Sequence, residues 1–250
     1  MRREYGIIWP YMKSFSLVIP IYNEEDILEK QVKKLILEID KILLHAEYEI
    51  LLVENGSTDK TYAIAQRLVS QNSHVRLIRL ENPSYGQAFK EGVRQAKFDV
   101  VVQFDIDFWD TDFLDLSLLL LSRYDIVIGS KNLGTSKDQR PFARKIISKF
   151  VELFLKSYFG VPFSDTHGMK AIRRRVILPL IDEVQSQNHF FDSELLIMCH
   201  YLHYSFKELP VTLEEIRATR FSFLIRALET IREFGKLLAM KRYLIRYSYL

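Results

Sequence analysis

Four carboxylates lie within eight residues of the chain, directly after a run of apolar residues. The segment 98–112 reads FDVVVQFDIDFWDTD and contains Asp105, Asp107, Asp110 and Asp112. Side chains alternate along an extended segment, so Asp105 and Asp107 are expected to point the same way. Two carboxylates held side by side repel each other unless a divalent cation lies between them. The spacing therefore predicts a metal or substrate site made by Asp105 and Asp107.

The other two carboxylates have an ordinary structural explanation. Asp110 or Asp112 lies where a helix over Phe113–Leu121 needs an N-terminal cap. We assign the cap to Asp112 in preference to Asp110. Neither residue of the first pair lies where a cap is needed, so the cap explanation does not extend to that pair.

The apolar residues before the carboxylates predict a buried strand. Residues 100–104 are apolar except for Gln103, and three of them are β-branched, which is typical of a strand buried on both faces of a sheet. Strands and amphipathic helices alternate, each return taking roughly 25 to 30 residues, which indicates parallel strands with right-handed crossovers. The other strands of this α/β sheet are predicted at Phe15–Pro20, Tyr48–Val53, Val75–Leu80 and Asp125–Gly129.

Three polar loops follow strands of the predicted sheet, at residues 22–25, 54–59 and 105–110. In such sheets ligands bind beyond the carboxyl ends of the strands. No G-x-G-x-x-G follows a strand, and no G-x-x-x-x-G-K-[ST] is present. The loops therefore predict one site at one edge, which is neither a P-loop nor a dinucleotide-binding site.

The second half of the chain has a looser order. One domain over residues 14–216 is predicted, followed by a basic amphipathic extension over residues 217–250. The elements predicted after Gly129 are helices at Arg140–Phe159, from Arg173 towards Leu180 and at Phe191–His203, an extended piece at Met169–Ile172 and a strand at Ser205–Thr212.

Composition sets the broad class of the protein. The 48% hydrophobic and 27% charged content is typical of a soluble globular protein. The single cysteine, Cys199, excludes an internal disulfide framework and a cysteine-based zinc cluster, and its apolar helical surroundings indicate a core thiol. The first residues lack the apolar run of a signal peptide, and no stretch approaches the ~18 apolar residues that span a bilayer. We therefore expect a cytoplasmic protein that meets membranes only at their surface.

Charge is divided unevenly along the sequence. From Arg217 to the end, eight Lys and Arg face two Glu, which gives this extension +6 and leaves −3 for residues 1–216. The extension is either a helix packed on the core or an interfacial helix on anionic lipid. Nucleic acid is not expected as a partner, because no recognition motif accompanies the charge.

Seven sequence elements in order resemble the family-two glycosyltransferases of GT-A fold. The resemblance is greatest to the branch that contains dolichol-phosphate mannose synthase and polyprenyl-phosphate glycosyltransferases, and it covers roughly residues 14–222. It implies a mainly parallel central sheet flanked by helices, and an inverting, metal-dependent transfer of a sugar from a nucleotide-diphosphate sugar to a polyprenyl phosphate. The elements are VIPIYNEE (Val18–Glu25), ENGSTD (Glu54–Asp59), the series Asn82, Gly86, Ala88 and Gly92, DIDFW (Asp105–Trp109), GSK (Gly129–Lys131), Arg144 with Ser148, and Asp165–Met169.

The resemblance implies roles for particular residues on the donor side. Asp105 and Asp107 would hold Mg²⁺ or Mn²⁺ against the donor diphosphate, which makes Asp107 a catalytic residue as well as a ligand. Glu54 or Asn55 would read the edge of the base. The whole set expected to bind the nucleotide is Pro20, Tyr22, Glu24, Glu54, Asn55 and Asp105.

On the acceptor side the resemblance leaves two chemistries open. A lipid phosphate is already anionic and needs positioning by Lys131, Arg144 and Ser148. A glycan hydroxyl needs a general base, for which Asp165 is the candidate. The neighbouring His167 either tunes Asp165 or is structural.

Three positions depart from the family pattern. Glu54-Asn55 replaces two aspartates, Trp109 replaces a glutamine after the carboxylate pair, and Lys131 replaces an arginine but keeps its charge. With these departures a catalytically inactive nucleotide-sugar-binding or membrane-adaptor module remains an alternative to an enzyme. For an enzyme acting on a lipid phosphate, a peripheral location on the cytoplasmic membrane face is expected.

Overall fold

The computed structural model describes residues 14–133, 137–138, 142–188 and 190–213 of the 250-residue chain, together with Gly235, Leu238, Lys241 and Tyr243. For residues 137–138 and 142–147 it describes the backbone alone. The strands are β1 (Ser14–Ile21), β2 (Glu47–Asn55), β3 (Val75–Leu80), β4 (Val100–Gln103), β5 (Ile126–Ser130), β6 (Lys137–Asp138), β7 (Lys170–Arg173), β8 (Phe206–Pro210) and β9 (Thr212–Leu213). The helices are α1 (Leu28–Ile42), α2 (Thr61–Gln71), α3 (Tyr85–Gln95), α4 (Thr111–Leu120), α5 (Phe142–Phe159), α6 (Arg174–Ile177) and α7 (Phe191–Tyr201).

Seven strands form one sheet in the order β3-β2-β1-β4-β7-β5-β8. The first four are parallel, and β1 pairs with β2 along its whole length, from Ser14↔Glu47 to Ile21↔Glu54. The predicted α/β architecture with a mainly parallel sheet is confirmed. Because the four strands share a direction, the loops that follow β1, β2 and β4 meet at one edge.

Helices cover both faces of the sheet, as the apolar strands require. On β1, Leu17 and Ile19 pack into a core shared with α1, α2 and α4. Val18 points to the opposite face, into a core shared with α3, α5 and α7. Cys199 is fully buried in this second core, as predicted. Among the described helices, none combines the length and the apolar character needed to cross a bilayer.

The loops after β1 and β2 are hydrogen-bonded to each other. Asn23 has φ 54°, a left-handed conformation that asparagine tolerates. Its backbone N–H donates to Ser57 Oγ at 3.0 Å, and its Oδ1 accepts from Thr58 N–H at 2.9 Å. Glu24 N–H donates to Thr61 Oγ1 at 2.7 Å. Two of the three predicted polar loops therefore form one connected rim.

One antiparallel strand interrupts the parallel order. β7 lies between β4 and β5 and runs against both, with Val101↔Ile172 and Val127↔Ala171 in register. The sequence predicts the extended segment at Met169–Ile172 but not its position, because β7 follows a long helix and a loop rather than a β-α repeat. The single strand predicted at Ser205–Thr212 is two strands, β8 in this sheet and β9 paired with β6.

The N-terminal cap of α4 differs from the sequence prediction. Asp110 is the cap, and one of its carboxylate oxygens accepts from Phe113 N–H at 3.0 Å. The preference for Asp112 is therefore wrong. The helix begins at Thr111, two residues earlier than expected, so Asp112 falls in its first turn.

Candidate functional site

A cavity of about 250 Å³ opens at the carboxyl edge of the parallel strands. Two of the predicted loops line it, one at the end of β1 and one after β4, whereas the loop after β2 only supports the first. Residues from α3, from the loop before β7 and from α7 complete the wall. The lining residues are Pro20, Glu24, Tyr85, Asp105, Ile106, Asp107, His167 and Asp192.

The predicted carboxylate pair lies on this wall, but not on an extended segment. β4 ends at Gln103, and Asp105 begins a tight turn in which Phe108 N–H donates to the Asp105 carbonyl at 3.0 Å. The argument from alternation along a strand is therefore wrong, although both side chains reach the cavity. Burial, and then the charge of Asp107, raise the pKa of Asp105 to about 7.

This pair fits a divalent cation. Burial and mutual repulsion make two adjacent carboxylates costly, and a cation between them would remove that cost. Within the described ranges no group of three or more His, Cys, Asp or Glu is arranged to hold a metal ion. Mg²⁺ and Mn²⁺ accept carboxylate oxygens, and Mg²⁺ is commonly held by one or two carboxylates completed by phosphate and water. The donor set of Asp105 and Asp107 matches that arrangement.

The residues expected to bind a nucleotide fall into two groups. Pro20 and Glu24 line the cavity, and Tyr22 is 40% exposed at the same rim. Glu54 is fully buried; one oxygen accepts from Ser57 N–H and the other lies 3.5 Å from the Arg79 guanidinium. 

Asn55 is also engaged, because its Oδ1 accepts from Ser84 N–H at 2.7 Å. Like Glu54, it lies outside the cavity lining. These two residues therefore hold the loops in place in this structure.

The tryptophan that stands in place of the expected glutamine packs away from the carboxylates. Trp109 Nε1–H donates to Gln31 Oε1 on α1 at 3.2 Å, and Lys34 Nζ lies 5.2 Å from the centre of its ring. The next carboxylate along the chain, Asp110, caps α4. Neither belongs to the cavity lining, so the departure leaves the pair Asp105 and Asp107 on the wall.

Asp165 lies beside the cavity, bound to its neighbours. Lys131 Nζ is 3.5 Å from its Oδ2, and the N–H groups of Lys131 and His167 donate to its two oxygens at 3.3 and 3.0 Å. Burial alone would raise the pKa of Asp165, but the Lys131 charge, His167 and these N–H groups together hold it below its ordinary value. Asp165 is therefore ionised and a weak base.

Of the three residues expected to position an acceptor phosphate, Lys131 has a side chain 15% exposed. Ser148 is half-buried on α5. The side chain of Arg144 lies outside the described residues, although its backbone is part of the same helix.

A buried polar group beneath the cavity was not predicted. Lys170, fully buried on β7, lies 3.1 Å from Asp192 Oδ2 and donates to the Gly168 carbonyl at 2.8 Å. Tyr85 O–H donates to the same oxygen of Asp192 at 2.9 Å. The available signal was a charge inside an apolar pattern: Lys170 lies within the predicted extended piece at Met169–Ile172, and Asp192 lies at the start of the predicted helix.

His167 lines the cavity, and the residue as a whole is partly exposed to solvent. Its Nδ1 is hydrogen-bonded to Thr166 Oγ1 at 2.9 Å, and Thr166 is in turn bonded to Ser193 Oγ at 2.8 Å. The cavity walls displace water and lower the pKa of His167 to about 4, against the opposing effect of Asp192. The imidazole is therefore neutral near pH 7.

The family model described as glycosyl transferase family 2 matches residues 16–179. The chain is 28% identical over 208 residues to the glycosyltransferase AglD of Haloferax volcanii, an alignment covering 80% of this chain and 33% of AglD. It is 29% identical over 177 residues to an undecaprenyl-phosphate 4-deoxy-4-formamido-L-arabinose transferase of Pectobacterium atrosepticum, covering 68% of this chain and 52% of that relative.

A third relative is the dolichyl-phosphate beta-glucosyltransferase of Dictyostelium discoideum, 25% identical over 221 residues, with 82% of this chain and 68% of the relative covered. The chain spans about a third of the length of AglD and about half of the Pectobacterium protein.

Solved structures share the fold. A mannosyltransferase from Pyrobaculum calidifontis, solved with GDP-mannose and Mn²⁺, superposes with a TM-score of 0.60 at 18% identity, covering 95% of this chain and 69% of that chain. The chain therefore has the GT-A fold of glycosyltransferases.

Proposed function

Because the chain belongs to glycosyl transferase family 2, we propose that it transfers a sugar from a nucleotide-diphosphate sugar to a polyprenyl-type lipid phosphate. The observation that carries the proposal is the pair Asp105 and Asp107 in one cavity with Pro20 and Glu24. Relatives named as undecaprenyl-phosphate and dolichyl-phosphate transferases support the acceptor class.

The donor is proposed to lie with its nucleotide against Pro20, Tyr22 and Glu24 and its diphosphate beside Asp105 and Asp107. When bound by that pair, Mg²⁺ or Mn²⁺ would neutralise charge on the diphosphate leaving group. Glu54 and Asn55 are proposed to select the base indirectly, through the loops that they hold in place. In the rim, the hydrogen bonds between the β1 and β2 loops would fix the nucleotide site before the donor arrives.

Transfer with inversion requires an oxygen of the acceptor phosphate to attack the anomeric carbon. That bond forms as the bond from the anomeric carbon to the diphosphate oxygen breaks, and the leaving diphosphate takes the electron pair. A phosphate oxygen is already anionic, so no proton has to be removed. Lys131, Arg144 and Ser148 are proposed to hold the acceptor phosphate.

The ion pair between Asp165 and Lys131 favours a lipid phosphate over a glycan hydroxyl as the acceptor. A hydroxyl acceptor needs a base, and the ion pair with Lys131 makes Asp165 a weak one. Asp165 is better suited to hold the Lys131 ammonium in place beside the cavity. Its catalytic role, as base or as positioning group, remains a proposal.

The position of Trp109 favours an active enzyme over an inactive binding module. Its indole packs on α1 and leaves the carboxylate pair on the cavity wall. A lipid acceptor also requires contact with a membrane surface. We assign that contact to the basic extension and place the enzyme on the cytoplasmic face.

The test is transfer to a short polyprenyl phosphate from GDP-mannose or UDP-glucose with Mn²⁺ or Mg²⁺, measured as glycolipid formed and nucleoside diphosphate released. The matched acceptor is the polyprenyl alcohol, which we expect to stay unglycosylated. Asp107→Asn should lower turnover by about 100-fold or more, the scale of losing a group that stabilises transition-state charge. Asp112→Asn, an exposed carboxylate in the first turn of α4, is the control and should keep full turnover. An Asp107→Asn variant with unchanged turnover, or transfer to the alcohol alone, would contradict the proposal.

A further inference from the structure

One side of the cavity has no role in the donor nucleotide, the cation or the acceptor phosphate. It is formed by His167, from the loop before β7, and Asp192, from the first turn of α7. We propose that His167 and Asp192 form the subsite that holds hydroxyl groups of the transferred sugar. This inference rests on the proposed function and assigns the part of the site that would distinguish one donor sugar from another.

One carboxylate oxygen of Asp192 is hydrogen-bonded and ion-paired, whereas the other has no hydrogen-bond partner among the described residues. Its Oδ2 receives the Lys170 ammonium at 3.1 Å and the Tyr85 hydroxyl at 2.9 Å. Its Oδ1 is buried and has no hydrogen-bond partner among the described residues. The side chain is 3% exposed and contributes to the cavity wall. Buried carboxylate oxygens nearly always have a donor, so a ligand that brings one would bind favourably here.

His167 is fixed in the same way through one nitrogen. Nδ1 is bonded to Thr166 Oγ1, and the bond from Thr166 to Ser193 holds that hydroxyl in turn. The backbone N–H of His167 is bonded to Asp165. Nε2 makes no hydrogen bond to any described residue, and the ring is open to the cavity. A neutral imidazole offers one donor or one acceptor at Nε2, and either matches a hydroxyl group.

The charge of the cavity selects a neutral ligand for this side. Four of its eight lining residues are carboxylates, Glu24, Asp105, Asp107 and Asp192, and no Lys or Arg is among the eight. A cation on Asp105 and Asp107 would offset part of this charge and accept a diphosphate. Lys170 balances the charge of Asp192 at Oδ2, and the remaining oxygen, Oδ1, needs a hydrogen-bond donor, which an anionic group does not supply. Sugar hydroxyls are neutral and donate hydrogen bonds, so they match both residues.

The experiment compares the affinity of the folded chain for a nucleotide sugar with its affinity for the bare nucleotide. Calorimetric titrations with Mn²⁺ would use GDP-mannose against GDP and UDP-glucose against UDP. His167→Ala and Asp192→Asn should each weaken binding of the nucleotide sugar by about tenfold, the scale of one hydrogen bond to a charged or buried group. Binding of GDP or UDP should change less than twofold. Asp182→Asn, an exposed carboxylate, and His200→Ala, at the other end of α7, are the controls.

Deoxy donor sugars supply a second measurement, made on the unaltered chain and then on the two variants. Removing the one hydroxyl bound at this subsite should weaken binding to the unaltered chain by about tenfold, and His167→Ala or Asp192→Asn should abolish the difference between that deoxy donor and its parent. If Asp192→Asn fails to fold because Lys170 loses its partner, the double variant Lys170→Met, Asp192→Asn removes both buried charges together.

The outcomes separate this inference from the proposed function. Two results would overturn the subsite and leave the proposed donor class intact. In the first, the variants weaken binding of the nucleotide as much as binding of the nucleotide sugar; in the second, every deoxy donor binds as tightly as its parent. An unaltered chain that binds neither the nucleotide sugars nor the nucleotides would overturn the proposed function, and the subsite with it.

Discussion

Two carboxylates next to the cavity are held in opposite electrostatic environments. Asp105 is half-buried beside Asp107, and its pKa is raised to about 7. Asp165 is buried, but Lys131 and two backbone N–H groups hold its pKa below the ordinary value. A cation beside Asp105 and Asp107 would relieve the repulsion that helps to raise the pKa of Asp105, whereas Asp165 is already paired with Lys131. Asp105 and Asp107 are thus suited to bind a cation, whereas Asp165 holds Lys131 in place.

The pairing of Asp165 predicts how stability depends on pH. A lowered pKa in the folded state gives a stabilisation that is complete above the unfolded-state pKa of about 3.9 and is lost as pH falls through the lower folded value. Asp165→Asn should therefore lower the free energy of unfolding by about 1–3 kcal/mol near pH 7. The difference from the unaltered chain should shrink below about pH 4.

Urea unfolding followed by circular dichroism at several pH values between 7 and 3 measures this difference. Asp182→Asn removes a carboxylate whose side chain is 65% exposed, and it should change stability by less than about 0.5 kcal/mol. A loss for Asp165→Asn that is the same at every pH would show that its charge contributes nothing.

Among individual site residues, the sequence predicts those whose partners lie close to them along the chain. Asp105 and Asp107 are recognisable because they follow a buried strand two residues apart. Asp192 is not, since its partners Lys170 and Tyr85 come from other elements. Lys170 lies opposite Gln103 through the antiparallel β4–β7 pairing, which no local pattern specifies.

Among the elements, the loop before β7 is positioned by contact between two glycines. Gly129 N–H donates to the Met169 carbonyl at 2.8 Å. A Cβ atom on Gly168 would lie 1.9 Å from the Gly129 carbonyl oxygen, far inside van der Waals contact. The loop carries Asp165 and His167, so this close approach sets where both side chains stand. The motif residue Gly168 is therefore needed for backbone packing beside the site.

Substituting Gly168 should consequently damage both stability and the site. Gly168→Ala forces backbone atoms apart, and we expect a loss of about 3 kcal/mol or more in the free energy of unfolding, as for other severe packing defects. Binding of a nucleotide sugar should fall as His167 moves. Thermal unfolding and calorimetric titration of the same sample measure the two effects.

Gly235→Ala is the matched control, because a Cβ at Gly235 has no neighbour within 4 Å among the described residues. It lies in a helical turn, where alanine should leave stability unchanged or raise it by up to about 1 kcal/mol. Full stability in Gly168→Ala would show that the loop adapts and that the close approach is dispensable.

The elements best predicted from the sequence are those whose apolar pattern lies entirely within the element. β1 to β4 and α1 to α3 follow from apolar runs and helical periodicity, and they build the first half of the cavity wall. The start of α4 was misplaced by two residues because both Asp110 and Asp112 are good caps, and only the Phe113 N–H contact separates them. The place of β7 depends on long-range pairing, so the place of Asp192 in the wall next to it could not be predicted.

For the molecule as a whole, the uneven charge raises the question of what the basic extension contacts. Two of its described residues touch the domain. Lys241 Nζ donates to the Tyr158 carbonyl at 2.6 Å and lies 3.9 Å from the centre of the Tyr158 ring. Tyr243 O–H donates to Glu183 at 3.0 Å. These contacts fit a segment that packs on the domain at one turn. The other seven basic residues of the extension lie outside the described residues.

We expect those basic residues to bring the domain to an anionic membrane surface. A basic residue near such a surface contributes about 1 kcal/mol, so the full chain should sediment with vesicles containing phosphatidylserine and not with neutral ones. Raising the salt from about 0.1 to about 0.5 M should release it, because screening shortens the range of the attraction.

The variant Lys241→Met, Tyr243→Phe removes the two domain contacts and should still bind. Truncation after Ile216 should abolish sedimentation while transfer to a detergent-dispersed polyprenyl phosphate continues. A truncated chain that binds anionic vesicles as well as the full chain would assign membrane contact to the catalytic domain itself.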